Sequence, residues 1–157
     1  MIINIEFTKP KDKKIPLFSW LIKLVEKTEY SHVRLSWINS VKVSVVYEAG
    51  GSSVRFLGPE AQKVAPVTVI KTFPVSVTKD QYRQLVKLCM RNAGINYGIK
   101  QVLGIGLVKL FNLKRNPFSD GRKSQVCSEI VGRFLEDVLE YDTGLDLDIV
   151  GPRELDK

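Results

Sequence analysis

The chain has 157 residues, 44 % of them hydrophobic, with 24 Lys and Arg against 17 Asp and Glu and a net charge of +7. That length suits a single domain over residues 1–157 with a real core, and the composition excludes a disordered or fibrous chain. The charge permits attraction to nucleic acid, an anionic surface or another acidic partner. The bases are scattered, however, and the densest runs, Lys9 to Lys14 and Lys109 to Lys123, read first as solvated loops.

Ile2 to Phe7 alternates apolar and polar residues, a first strand, and Thr8 to Lys14 is a charged turn. Pro16 suits a first helical position, and Leu17, Phe18, Leu21, Leu24 and Val25 form the stripe of a helix reaching Lys27. Tyr30 to Ile38 reads as a strand of alternating β-branched and aromatic residues. Asn39 and Ser40 turn it into a second strand, Val41 to Ala49, its hairpin partner. Gly50 and Gly51 lead into Ser53 to Leu57, and after Gly58 and Pro59 comes a further strand, Val67 to Phe73. At Thr78 the period changes: Thr78 and Gln81 outline a capping box for a helix ending near Gly94, with Cys89 on its apolar side. Tyr97 to Phe111 is a second helical stretch. Its Gly104 and Gly106 are no dinucleotide fingerprint, because no strand leads in and a third glycine is missing.

Asn116 to Ser124 is loop chemistry, and beyond it Ile130, Val131, Phe134, Leu135, Val138 and Leu139 recur with helical period. This predicts a helix from about Cys127 to Glu140, capped by Ser124 or a neighbour, with Glu129 favourably placed in its first turn. Unpaired N–H groups and the dipole at such a start favour a thiolate, so Cys127 is a candidate nucleophile. A helix cysteine taken alone is more often a small buried hydrophobe. Cys89 is read that way.

Two cysteines make neither a disulfide framework nor a metal-ligand spacing, and no cofactor or metal is expected. Met1 to Phe7 lacks the pattern of a signal peptide, and the apolar stretch from Val102 to Leu113 is too short to cross a bilayer. A reducing, cytoplasmic setting is the expectation. The elements add up to an α+β domain with a mostly antiparallel sheet of four to six strands.

The sequence holds one histidine, so a thiol–imidazole pair involving Cys127 must use His32. His32, Arg34 and Ser36 fall on one side of their strand, and Val33, Leu35 and Trp37 on the other. The hairpin can bring Glu48 beside His32, where a carboxylate would orient the imidazole. Which of Glu48, Ser36 or Ser44 meets the ring depends on a pairing register that sequence leaves open. An oxyanion donor for carbonyl attack is available in the Cys127 N–H.

The order Tyr30-Ser-His32-Val, then Val-Tyr-Glu48-Ala, then Cys127-Ser-Glu at a helix start resembles the circularly permuted branch of the NlpC-type papain-like superfamily. That branch is the YiiX-like group, related to the lecithin retinol acyltransferase-like proteins, in which the histidine strand precedes the cysteine helix. Phe18 to Ile22, Asn96 to Gly98 and the closing Gly151 to Leu155 extend the resemblance over most of the chain. It implies a permuted papain-like fold with the nucleophile helix packed on the sheet, Cys127 as nucleophile, His32 as base and Glu48 as the residue orienting it. It also implies a hydrolase or acyl transferase acting on an amide or ester, in a peptide, cell-wall peptide or lipid acyl substrate. Tyr30, just before the histidine strand, is a weaker candidate for substrate contact. The competing expectation is a catalytically silent papain-like module that docks nucleic acid or another acidic partner through its basic loops.

Overall fold

The computed structural model describes residues 1–11, 17–64, 67–121 and 123–156. Pro16, Lys14 and the side chains of Leu17, Phe18 and Leu21, which the sequence assigned to the first turn and helix, lie outside what is described.

The architecture is α+β. Strands β1 (Ile2–Pro10), β2 (His32–Ile38), β3 (Ser44–Gly50), β4 (Ser53–Leu57), β5 (Val67–Ser76), β6 (Asn96–Tyr97) and β7 (Ser124–Gln125) form one sheet in the order β5-β1-β2-β3-β4-β6-β7. Every pairing is antiparallel except β6 with β7. The expected four to six strands are therefore corrected to seven, because β6 and β7 have 2 residues each and cannot show a period of alternation. Pro74 is tolerated in β5 because that strand is an edge, where a missing N–H breaks no central ladder. The strand expected from Val41 starts only at Ser44. The Asn39 side chain accepts from the N–H groups of Val41 and Val43 and Lys42 takes a left-handed φ of 59°, which makes this segment a turn.

The helices are α1 (Leu17–Glu26), α2 (Pro59–Val64), α3 (Lys79–Asn92), α4 (Ile99–Phe111) and α5 (Cys127–Arg133). At the start of α3 the Thr78 hydroxyl accepts from Gln81 N–H while the Gln81 side chain accepts from Thr78 N–H, the expected capping box. The last long helix is shorter than its apolar period implied: after Arg133 it loosens into a π-helical turn, Phe134–Val138, and Glu140 turns left-handed at φ 55°. It still buries Ile130, Val131, Phe134 and Val138 against Val33 and Leu35 of β2 and Leu85 and Cys89 of α3. Side chains this completely buried contribute roughly 1.5–3 kcal/mol each, so the seating of α5 on the sheet is strongly held.

Polar contacts fix its azimuth. The Ser128 hydroxyl donates to the Val150 carbonyl at 2.7 Å, and Arg133 donates to Glu129 at 2.7 Å. Beyond Val150 the chain is stitched to α1 and α4: Lys109 Nζ donates to Glu26 at 2.6 Å and to Glu154 at 2.5 Å, and Arg153 N–H donates to Glu26 at 3.0 Å. Burial raises the Glu26 carboxyl above its usual range, a rise that Lys109 only partly offsets. Gly104 has a packing role: a Cβ there would run into the Asn116 side chain, whose amide donates to the carbonyls of Gln101 and Asp148. Gly104 thus lets the loop lie on α4.

Candidate active site

Cys127 opens α5, with Val126 as N-cap and no side-chain cap bond. Ser124, expected as a cap, lies instead in β7 and its hydroxyl donates to Asp120 at 2.7 Å. The strand-like pairing of Ser124 and Gln125 with Asn96 and Tyr97 delivers the chain to this helix start, leaving the first-turn N–H groups without a side-chain acceptor at the cap. Both cysteines are buried, but in different surroundings. Cys89 is 0 % exposed among Leu85, Leu88 and the sheet, and burial pushes its thiol up to about 12.

His32 opens β2, and its Nε2 lies 3.0 Å from Glu48 Oε2. The β2–β3 ladder pairs Leu35 with Tyr47 and Ser36 with Val46, and His32 and Glu48 lie beyond its last pair. There the ring reaches the carboxylate, and Gly50 leaves it the room: a Cβ at Gly50 would stand 3.2 Å from Glu48 Oε1 and 3.7 Å from His32 Cε1. The register excludes the other two candidates. Ser36 donates to Glu6 at 2.5 Å and Ser44 pairs with Gln62 on α2.

Arg55, opposite Glu48 on β4, donates to the second carboxylate oxygen from Nε at 3.2 Å and from a terminal nitrogen at 2.9 Å. Burial alone would raise the Glu48 carboxyl, but His32 and then Arg55 outweigh it and hold it at about 2. For His32, burial favours the neutral ring, and it is overridden first by the charge and hydrogen bond of Cys127 and then by Glu48, so its pKa is pushed up to about 10. With Nε2 taken by Glu48, Nδ1 is the ring nitrogen left for another partner.

The fold is comparable with known structures. No family model and no curated protein matches the chain. Among solved structures it is similar to the metalloprotein YiiX from Escherichia coli O157:H7, with a TM-score of 0.56 and 18 % identity, covering 88 % of this chain and 65 % of that one. The fold is YiiX-like. The chain spans about 65 % of that neighbour's length, and at this identity the likeness speaks for the backbone architecture only.

Two residues on the YiiX-like sheet belong beside the three expected ones. Arg55 was not singled out, although it sits where a strand after the Gly50-Gly51 turn must face Glu48. Tyr97 is held by the short β6–β7 pairing. Burial, then the charges of Cys127 and Glu48, keep its phenol protonated well above the usual tyrosine range. Tyr30 is engaged elsewhere: its hydroxyl donates to Asp156 at 2.7 Å and its ring packs 4.9 Å from that of Phe7. Among the described residues no group of three or more His, Cys, Asp and Glu side chains is arranged to hold a metal ion.

Proposed function

We propose that this protein is a cysteine hydrolase or acyl transferase of the permuted papain-like kind, with Cys127 as nucleophile, His32 as general acid and base, and Glu48 orienting His32. The observation that carries the reading is the 3.0 Å contact between His32 Nε2 and Glu48 Oε2, and the part that Cys127 takes in raising the ring's pKa supports it. The YiiX-like fold and the order of histidine strand before cysteine helix support it.

A thiolate at Cys127 attacks the carbonyl carbon of an amide or ester, and the carbonyl electrons move onto oxygen, which the Cys127 N–H at the uncapped helix start stabilises. As that oxyanion collapses, the His32 imidazolium gives its proton to the departing amine or alcohol, leaving a thioester. The now neutral His32 takes a proton from water or an acceptor hydroxyl, which attacks the thioester and restores the thiolate and the imidazolium. Glu48 fixes the ring's tautomer and stabilises its charged form, and Arg55 anchors Glu48. Tyr97 adds a neutral phenol near the reacting groups.

The neighbour YiiX is by name a metalloprotein. The donor set at the His32–Glu48 site does not fit a metal: both Glu48 oxygens are already engaged, one by His32 and one by the cation Arg55. No step is routed through one.

The test is hydrolysis of an activated p-nitrophenyl ester and alkylation by iodoacetamide, followed for the wild type, Cys127→Ala and His32→Ala. Loss of both reactions in Cys127→Ala with retained folding is the expected result. Undiminished turnover in Cys127→Ala would sink the reading.

A further inference from the structure

We propose that the outward face of α4 and the loop after it form a docking surface for an anionic lipid bilayer. Helix α4 is apolar on both sides. Its inner side buries Val102, Ile105 and Val108, and the first two line a crevice that reaches Cys127. Its outer side should then be polar if water were its permanent neighbour. Instead Ile99, Leu103, Leu110 and Phe111 are 42 %, 39 %, 69 % and 63 % exposed, and Leu113 and Phe118 in the following loop are 43 % and 44 % exposed. At 100° per residue, Ile99, Leu103 and Leu110 fall within one sector about 40° wide, with Phe111 about 80° beyond it at the end of the helix. Single exposed leucines are ordinary on a protein surface, but a contiguous stripe carrying no polar residue marks an interaction site.

The charges around the stripe decide its partner. From Ile99 to Ser119 the chain carries no acidic residue and four bases, Lys100, Lys109, Lys114 and Arg115. Lys109 is consumed by Glu26 and Glu154, whereas Lys100, Lys114, Arg115 and Lys123 are exposed. Of the other carboxylates beside this segment, Asp120 is engaged by Ser124, Lys123 N–H and Gln101, Asp148 accepts from Ser119, and Asp146 lies beside Leu113. Aliphatic side chains flanked by four exposed bases, which outnumber the two exposed carboxylates beside them, Asp146 and Asp148, suit the boundary between acyl chains and anionic headgroups. A nucleic acid would find phosphate partners here but no use for the aliphatic stripe, and a second copy of this chain would bring its own bases against these. Among the described residues no helix is long and apolar enough to cross a membrane, so the mode of contact is peripheral.

The test is co-sedimentation with vesicles of mixed phosphatidylcholine and phosphatidylglycerol, set against vesicles of phosphatidylcholine alone. The wild type is expected to pellet with the first and at least about 10-fold more weakly with the second. Lys114→Glu with Arg115→Glu, and separately Leu110→Ser with Phe111→Ser, are each expected to cost about 10-fold or more in partitioning. All four positions are exposed, and circular dichroism checks that both variants fold. Cys127→Ala should pellet like the wild type, so this proposal stands or falls apart from the thiol chemistry. It is overturned by no binding to the anionic vesicles, by equal binding to both kinds, or by indifference to both variants. Retention on DNA without vesicle binding, or a dimer dispersed by Leu110→Ser, would overturn it equally.

Discussion

The Nε2 of His32 and the Oε2 of Glu48, 16 positions apart, meet at 3.0 Å just beyond the last pair of the β2–β3 ladder. That contact gives the ring a carboxylate partner while leaving its other nitrogen free of Glu48.

The single histidine makes its titration directly readable. The imidazole signal in an NMR titration should move with a midpoint far above the ordinary 6.5, near 10 in the wild type. Cys127→Ala removes the leading influence that raises it and should lower the midpoint, as should Glu48→Gln to a lesser degree. A wild-type midpoint at the ordinary value would mean that Cys127 and Glu48 do not stabilise the charged ring.

Stability should follow the same pair. His32 is raised in the folded state, so its contribution is fully present below 6.5 and is lost as pH rises through about 10. Glu48 is lowered, so its contribution is present above 4.5 and is lost as pH falls through about 2. The two coincide in full between 4.5 and 6.5. Denaturation midpoints measured across pH should therefore peak there for the wild type and flatten for a His32→Gln, Glu48→Gln double variant. Parallel curves would contradict this.

The two thiols should differ in reactivity. Burial holds the Cys89 thiol near 12, so iodoacetamide near neutral pH should modify Cys127, which lines a crevice, and spare Cys89. Peptide mapping of the alkylated protein reads this directly, and equal labelling would remove any special status for Cys127.

Replacing Gly50 separates site geometry from folding. In Gly50→Ala the new methyl would crowd Glu48 Oε1 at 3.2 Å, shifting the carboxylate against the ring. Ester turnover should fall at least about 10-fold while stability drops by less than about 1.5 kcal/mol. Unchanged turnover would show that the contact does not matter.

Gly104→Ala should do the reverse. Its methyl collides with Asn116, which bridges the Gln101 and Asp148 carbonyls, so unfolding should become easier by about 1–3 kcal/mol. The melting temperature measures it. Little change would mean that the loop can lift from α4 without cost.

Much of the frame was legible because it is written in local periods. The alternation in Ile2 to Phe7 and Val33 to Trp37, the Thr78–Gln81 box and the buried Cys89 all follow from neighbours within a few residues. The misses have equally local causes: Asn39 bends the chain through its side chain, and the 2-residue strands β6 and β7 are too brief to leave a pattern. Arg55 and Tyr97 were overlooked because their importance comes from what lies across the sheet from them.

By itself the sequence determined which groups could do chemistry, since with one histidine the only imidazole available to Cys127 is that of His32. Only the tertiary structure decided that Glu48 and not Ser36 or Ser44 meets the ring, and that Tyr30 turns away to Asp156. The reason is that side-chain type and period are properties of the chain, whereas register is set jointly by the burial of Val33, Leu35 and Tyr47 and the turns that join their strands.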